Sequence, residues 1–249
     1  MRAKALLNAL FLCLLLAPSA AGAEPVVRLT TLEWPPYTMA AEPHGAVEDV
    51  VRQAFKAVGY DLVVDYLPWN RAVLNARTDP AVAGYFPEYA SDQVAADFIY
   101  SPSVGQGPLG FAERNRDPVT WRELDDLVDI PIGVVSGYIN TPEFDSRVAA
   151  HRLRVDDVPN DALNLRKLAG GRVRLAVIDR NVMAYLLATD PDLAGLTGKL
   201  KFNPHLLGSK DLFVCFRKDR QGREMAALFA QGLAKIDAPA IFKAALARH

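Results

Sequence analysis

The sequence predicts an α/β protein made of two successive units, each with a mainly parallel sheet. Strand-like and helix-like segments alternate along most of the chain, which is typical of parallel sheets joined by helical crossovers. Segment 101–110, rich in Ser, Pro and Gly, interrupts this alternation and indicates a crossing between units. No internal repeat is visible. Two α/β units therefore fit the sequence better than a single barrel.

The first unit is predicted as strand, helix, strand, helix, strand. Segment 26–32 is apolar and β-branched, and 47–58 has apolar residues at the three-to-four spacing of an amphipathic helix. Gly59 then suits a helix C-terminus. The remaining predicted elements are a strand at 61–66, a helix at 70–76, a strand at 82–86 and a helical turn at 91–97.

The second alternation begins at 108–112. Its predicted helices are 121–127, 141–150, 161–168 and 180–188, and its predicted strands are 130–135, 153–155 and 173–178. A strand at 212–216 and a helix at 223–236 close the chain.

The first residues have the pattern of an export signal. Arg2 and Lys4 precede an apolar run at 5–16, and 21–23 offers a small-residue cleavage site. The run is short for a membrane span. We expect residues 1–23 to be removed after Ala23 and the mature protein to be periplasmic. The alternative is a lipoprotein attached through Cys13, although Leu12 is larger than the residue such signals place there.

Charge and cysteine content exclude some classes of function. Loss of 1–23 leaves 26 Lys and Arg against 29 Asp and Glu, a net charge of −3 with both signs interspersed. Nothing therefore suggests nucleic acid or an anionic membrane as a partner. Only Cys215 remains after cleavage, within an apolar strand, so we expect a structural thiol and no internal disulfide. We expect no cofactor, because the four histidines lack metal-ligand spacing and no phosphate-binding loop is present.

An ordered set of short motifs resembles the extracytoplasmic solute-binding proteins of family 3, which serve polar amino-acid ABC transporters. The motifs are E-W-P-P-Y, Y-L-P-W-N-R-A, G-Y-F-P, F-I-Y-S-P, I-G-V-V-S-G-Y, V-R-L-A-V-I-D and F-V-C-F-R-K-D. The resemblance implies a two-lobed periplasmic-binding-protein fold of type II with a ligand cleft between lobes. Lobe 1 would comprise 24–106 and 210–249, and lobe 2 would comprise 107–209. Hinges are expected near 105–107 and 207–210.

Candidate ligand contacts follow the carboxyl ends of the predicted strands, where open α/β sheets bind ligands. Rings on the stiff Pro35-Pro36 loop would offer contact area at little entropic cost. The N–H groups of a helix start at 137–141 would suit an anionic ligand group. The candidates are Glu33, Trp34, Tyr37, Trp69, Arg71, Tyr85, Glu88, Ser136, Gly137, Tyr138 and Asp179.

Each of these candidates also has a structural interpretation. Trp34 and Tyr37 could cap a core, and Trp69 could pack on its lobe at the start of a helix capped by Asn70. Arg71 could fork a ligand carboxylate or simply be solvated. Asp179 could contact a ligand amine, as the resemblance implies, or cap the helix that starts at 180.

One departure from the family concerns the ligand. Family members usually place an arginine for the α-carboxylate of an amino acid just before the Y-S-P-like strand, but segment 89–97 contains none. Either Arg71 supplies the guanidinium or the ligand has no α-carboxylate in that place. The aromatic candidates would also suit a ring-bearing or cationic ligand.

The sequence therefore predicts a monomeric, non-enzymatic protein that closes on a small polar solute for delivery to an ABC permease. We expect a cleft that is not filled by the protein's own side chains. Two alternatives stay open. One is an enzyme similar to periplasmic cyclohexadienyl dehydratases, with an acid among Glu33, Glu88 and Asp179. The other is an interaction protein that signals through a membrane sensor.

Overall fold

The computed structural model describes residues 25–249, so the predicted export signal lies outside the described residues. The chain alternates strands and helices over most of its length. The strands are β1 Val26–Thr31, β2 Asp61–Tyr66, β3 Gly84–Glu88, β4 Phe98–Tyr100, β5 Gly105–Arg114, β6 Ile132–Val135, β7 Val155–Val158, β8 Leu175–Asp179, β9 Leu200–Phe202 and β10 Gly208–Arg217. The helices are α1 Ala46–Lys56, α2 Trp69–Thr78, α3 Asp92–Asp97, α4 Pro142–Ala149, α5 Asp161–Ala169, α6 Arg180–Thr189, α7 Arg220–Leu233 and α8 Ala238–Leu246.

The strands follow the order β2-β1-β3-β10-β5-β8-β6-β7, with β4 beside β10 and β9 beside β5. Strands β1, β2 and β3 are parallel at one end, and β6, β7 and β8 are parallel at the other. The long antiparallel strands β5 and β10 join the two ends. This arrangement confirms the predicted two-lobed periplasmic-binding-protein fold. The exact lobe boundaries stay a prediction.

Local sequence explains the main elements. Helix α1 buries Val47, Val50, Val51 and Phe55 on one face, the spacing that predicted it. Strand β8 is buried along its whole length, as expected for an apolar run in a parallel sheet.

Several boundaries differ from those predicted. Segment 121–127 forms only a short 3-10 turn at Leu124–Leu127, and the predicted strand at 153–155 lies two residues later as β7. Strands β4 and β9 and helix α8 were not predicted. They are short or lack a strong period, so local pattern gives them little signal.

The core is apolar and extends through both lobes. Cys215 is fully buried in β10, as the sequence predicted. Within residues 25–249, no single helix is long and apolar enough to cross a bilayer, while α7 and α8, bent by 82°, pass that test of length and composition only as a pair.

Candidate functional site

The loop after β1 brings two aromatic rings to the carboxyl edge of the first lobe. The backbone N–H of Trp34 donates to the Thr38 carbonyl at 3.0 Å, and the N–H of Tyr37 donates back to the Trp34 carbonyl at 3.0 Å. The Thr38 hydroxyl donates to the Leu32 carbonyl at 2.8 Å. These bonds tie the loop into a tight turn, and the rings of Trp34 and Tyr37 lie 4.7 Å apart. Their positions are therefore fixed by the local backbone.

Helix α2 supplies the third ring of the first lobe. Trp69 is its first residue and is 8 % exposed, with its ring 5.5 Å from that of Tyr85. Pro68 occupies the N-cap position without a side-chain hydrogen bond, so the predicted cap by Asn70 is wrong. Trp69 thus begins the helix and lies over Tyr85 at the end of the sheet.

Within residues 25–249, three side-chain hydrogen bonds cross the cleft between the lobes, and we refer to them as the closing contacts. Tyr37 Oη donates to Asp179 Oδ1 at 3.0 Å, and Asn181 Nδ2 donates to Tyr37 Oη at 2.9 Å. Trp69 Nε1 donates to the Gly137 carbonyl at 3.0 Å. The residues so joined are separated by 68 to 144 positions in sequence. The structure is therefore a closed form, held by side chains from both lobes.

The ring of Tyr138 inserts between the two tryptophans of the first lobe. Its centroid is 6.4 Å from that of Trp34 and 5.9 Å from that of Trp69, with interplanar angles of 81° and 83°. Such edge-to-face geometry is favourable for aromatic pairs. We call Trp34, Trp69 and Tyr138 the aromatic cluster. Both tryptophans therefore face the same space between the lobes, which the sequence alone does not show.

The aromatic cluster divides the cleft into an inner cavity and an outer groove. The inner cavity measures about 30 Å³ and is lined by residues that include Glu88, Tyr89 and Leu212. This volume holds about one or two water molecules and is far smaller than the ~300–1,000 Å³ of typical ligand pockets. The expectation of an unfilled cleft is thus not met by its inner part. The outer groove, however, measures about 550 Å³ and runs along the mouth of the cleft past Glu33, Tyr66 and Asp161.

Glu88, at the end of β3, is the acid of the inner cavity. It is 5 % exposed, and its carboxylate accepts hydrogen bonds from the Tyr85 hydroxyl at 3.0 Å and the Tyr89 N–H at 2.8 Å. Burial raises the pKa of Glu88 to about 7, against the lowering effects of these two donors and of Lys210. Lys210 Nζ lies 5.2 Å from the Tyr89 ring centroid, and burial lowers the pKa of Lys210.

Asp161 begins α5 and lines the outer groove. Burial raises the pKa of its carboxyl to about 7, against lowering by Trp34 and Tyr138, and the nearby Asp179 raises it further. Tyr138 Oη lies 3.4 Å from Asp161 Oδ2. Asp161 is 6 % exposed and forms no ion pair among the described residues. It is therefore a buried acid on the groove side of the aromatic cluster.

Asp179 is both a helix cap and a contact between lobes. Its Oδ1 accepts from the N–H groups of Asn181 at 2.7 Å and Val182 at 3.2 Å, the capping role that the sequence allowed. The same oxygen also accepts from Tyr37. Burial raises the pKa of Asp179 to about 6 despite these donors. The alternatives of cap and cleft residue are thus not exclusive, while its contact with a ligand stays a prediction.

Other candidates lie farther from the cleft interior. Glu33 is exposed at the groove, where its side chain accepts from the Ala40 N–H at 3.1 Å. Arg71 is exposed and lines neither the inner cavity nor the outer groove. Ser136 bonds to Asp157, and Gly137 is exposed with φ +82°. These positions give the predicted ligand roles of Arg71 and Ser136 no support in the closed form.

Two of the N–H groups of the predicted anion site at 137–141, those of Tyr138 and Asn140, are bonded within the protein. The N–H groups of Tyr138, Asn140 and Phe144 donate to Val135 O, Asp145 Oδ2 and Thr141 Oγ1 respectively. Thr141 caps the helix, which begins only at Pro142. Because these donors are already used, Tyr138 and Asn140 offer no free N–H group, and the anion site stays a prediction.

Sequence analysis missed three residues of the cleft. Asp161 follows β7, Tyr89 follows β3 and Asn181 follows β8, so each lies just beyond the carboxyl end of a strand. The same rule that selected the other candidates would have found them. No group of three His, Cys, Asp or Glu side chains within 25–249 is placed to hold a metal ion.

Comparisons with known proteins agree on the fold. No protein-family model and no curated protein matches the sequence. Among solved structures, a histidine kinase sensor domain with similarity to periplasmic binding proteins matches with a TM-score of 0.77 at 17% identity, covering 91% of this chain and 96% of that one. The GluR0 ligand-binding core from Nostoc punctiforme, in complex with L-glutamate, gives 0.71 at 16% identity over 89% and 98%.

A third similar structure is an ancestral arginine-binding protein bound to arginine. It gives a TM-score of 0.72 at 14% identity, covering 91% of this chain and 98% of that one. At such low identities these likenesses establish the fold alone. The chain has the two-lobed fold of periplasmic binding proteins.

Proposed function

We propose that this protein is a periplasmic solute-binding protein whose ligand occupies the cleft between its lobes. The observation that supports the proposal is the convergence of Trp34 and Trp69 from one lobe with Tyr138 from the other beside a groove of about 550 Å³. Large rings and a few polar groups around a concave surface are the usual make-up of a small-molecule site. The similar structures bound to glutamate or arginine place their ligands on the same fold.

A ligand that enters the inner part of the cleft requires the lobes to move. The inner cavity of about 30 Å³ is too small for an amino acid or a comparable solute. Entry therefore needs Tyr138 to withdraw from the tryptophans, with rupture of the closing contacts. Strands β5 and β10 join the lobes and are where the rotation would be absorbed. The closed form is then one of two states, and a ligand shifts the equilibrium only through its different affinity for each.

In a transport role, the protein would deliver its ligand to an ABC permease. The export-signal pattern at 1–23 is consistent with a periplasmic location, and we infer that the mature chain acts as a monomer. A sensing role is a second candidate, since the lobes close on their own side chains and one similar structure is a kinase sensor domain. In that role a membrane sensor would respond to the change between closed and open forms.

The dehydratase alternative lacks an anion clamp. Neither cleft cavity is lined by an arginine or lysine within residues 25–249, although such an enzyme needs cationic groups for the carboxylates of its substrate. Binding without turnover is therefore the better supported function.

The test uses residues 24–249 in a thermal-shift screen against amino acids, polyamines, organic acids and aromatic acids, with product analysis for every hit. A ligand at a hundredfold excess over its Kd adds about 2.7 kcal/mol to the free energy of unfolding. We expect a shift with the ligand recovered unchanged. Tyr138→Ala should abolish it, while Tyr185→Ala, a partly buried tyrosine of α6 that lines neither cavity, should not.

Two results would oppose the proposal. Equal shifts in the Tyr138→Ala and wild-type proteins would place the ligand outside the cleft. Consumption of the ligand would support the enzyme instead.

A further inference from the structure

The charges that line the cleft are all of one sign. Glu33 and Asp161 are the charged residues of the outer groove, and Glu88 is the charged residue of the inner cavity. None of the three forms an ion pair within 4 Å in the described part of the chain. Lys210 influences Glu88 electrostatically but lines neither space. The cleft is therefore lined by carboxyl groups that form no ion pair with any cation of the described residues.

The aromatic residues provide a second, independent feature. Trp34, Trp69 and Tyr138 lie at the boundary of both spaces, Tyr66 faces the groove and Tyr89 faces the cavity. The faces of such rings attract cations, most strongly when water is excluded. Rings around a carboxylate form a suitable site for an ammonium or guanidinium group, because ring faces and carboxylate attract the same charge.

An unsatisfied buried group marks the inner cavity as a place for a ligand. Tyr89 is 6 % exposed and lines the cavity, and its hydroxyl has no hydrogen-bond partner among the described residues. Buried polar groups are rarely left unpaired without a ligand or water to complete them. A hydroxyl can accept a hydrogen bond from an N–H donor of a ligand cation.

A ligand carboxylate would find no cationic partner among the residues that line the inner cavity and the outer groove. Arg71, the guanidinium that the sequence offered for this purpose, is exposed outside both spaces, and the N–H groups of Tyr138 and Asn140 are already bonded. A carboxylate in the groove would instead lie near Glu33 and Asp161, where like charges repel.

We propose that the ligand is an organic cation without a carboxylate, with its ammonium or guanidinium group held by Asp161 and the aromatic cluster. This inference rests on the proposed binding function and names the class of solute. Glu33 at the exposed end of the groove would favour a cation by electrostatic attraction, and Asp161 would supply the buried contact.

The test compares ligands that differ only in the carboxylate or the charge. Agmatine is measured against arginine, and choline against glycine betaine and the neutral 3,3-dimethylbutan-1-ol, by calorimetric titration of residues 24–249. We expect agmatine or choline to bind at least about tenfold more tightly than its carboxylate-bearing counterpart, since the carboxylate would be buried near Glu33 and Asp161 without a cation to pair with it, which costs about that factor or more. The neutral alcohol should bind weakest of its series.

Two variants distinguish a direct contact between Asp161 and the ligand cation from the effect of the protein's net charge. Asp161→Asn keeps the shape and should weaken binding of the cation about 10- to 100-fold. Asp129→Asn removes the same charge from an exposed position outside the cleft and should leave the Kd within about twofold. Circular dichroism and the thermal midpoint of the ligand-free proteins verify that each variant is folded.

The outcomes distinguish this inference from the function on which it rests. Tighter binding of arginine or glycine betaine overturns the cation class but upholds a ligand-binding cleft. Equal losses in Asp161→Asn and Asp129→Asn also overturn it, because the cation would then respond only to net charge. If no probe binds and the broader solute screen is also negative, both proposals fail.

Discussion

Tyr37→Phe is expected to shift the protein from the closed toward the open form. The substitution keeps the ring, which lies 4.7 Å from Trp34 and 6.0 Å from Phe242, and removes only the hydroxyl. Two hydrogen bonds between lobes are lost, one to Asp179 at 3.0 Å and one from Asn181 at 2.9 Å. Because this hydroxyl is buried between the lobes, water replaces its bonds only when the lobes separate.

The size of the effect follows from these two bonds. A neutral hydrogen bond contributes about 0.5–1.5 kcal/mol and one to a charged group about 1.5–3 kcal/mol. Asp179 Oδ1 keeps the N–H groups of Asn181 and Val182, which reduces the loss at the carboxylate. We therefore expect the closed form to lose about 2 kcal/mol, which lowers the ratio of closed to open protein about thirtyfold.

Acrylamide quenching of tryptophan fluorescence measures this shift. Trp34 and Trp69 become accessible when the lobes separate, whereas Trp121 is buried in the second lobe and provides a constant background. X-ray scattering should show a matching increase in the radius of gyration. Tyr60→Phe is the control, because Tyr60 is only partly buried and lies outside the cleft. Equal quenching of Tyr37→Phe and wild type, in a folded protein, would refute the role of the closing contacts.

Three further predictions concern packing, a second contact and pH. Gly107→Ala should destabilise the closed form, because the added Cβ would lie 2.6 Å from Tyr37 Oη of the other lobe, as well as 2.1 Å from Asp179 Oδ2. Increased quenching tests this, with Gly195→Ala as control, because a Cβ there meets nothing within 4 Å. Trp69→Phe should lower the ratio of closed to open protein about three- to tenfold, because one neutral hydrogen bond between the lobes is lost. X-ray scattering should then show a larger radius of gyration, whereas the control Trp121→Phe should leave this radius unchanged. The free energy of unfolding of the ligand-free protein should fall as pH rises from about 5 to about 8, as measured by urea titration. The cause is that burial raises the pKa values of Glu88, Asp161 and Asp179, so the folded protein still holds protons that the unfolded chain has already released. A constant free energy of unfolding over this pH range would contradict this explanation.

Sequence pattern predicted the fold because the fold follows from local periodicity. The three-to-four spacing in 47–58 and the buried run at 173–178 correspond to α1 and β8. The strand-end rule also located Trp34, Trp69, Tyr138 and Asp179, which the structure brings together. These predictions depend on hydrophobic spacing and on strand ends, which can be read from each segment alone.

The contacts between the lobes could not be predicted from local sequence pattern. Whether a ring fills the cleft depends on how the lobes meet, and the bond between Trp69 and Gly137 joins positions 68 apart. At the predicted anion site 137–141, the N–H group of Asn140 is taken by the side chain of Asp145, and local sequence pattern does not show such a contact. The exposure of Arg71 likewise depends on the direction of α2 relative to the second lobe.

Closure and ligand charge are coupled through the buried carboxylates. The closed form removes Glu88, Asp161 and Asp179 from water without an ion pair, and burial raises the pKa of each to between about 6 and about 7. Near pH 5 these groups are protonated and the closed form carries little electrostatic cost. Near pH 8 they are ionised, and closure leaves uncompensated charge in the cleft unless a cation enters with it. A ligand cation should therefore favour closure most at the higher pH. Choline or agmatine should reduce acrylamide quenching at pH 8 more than at pH 5, and the opposite order would contradict this coupling.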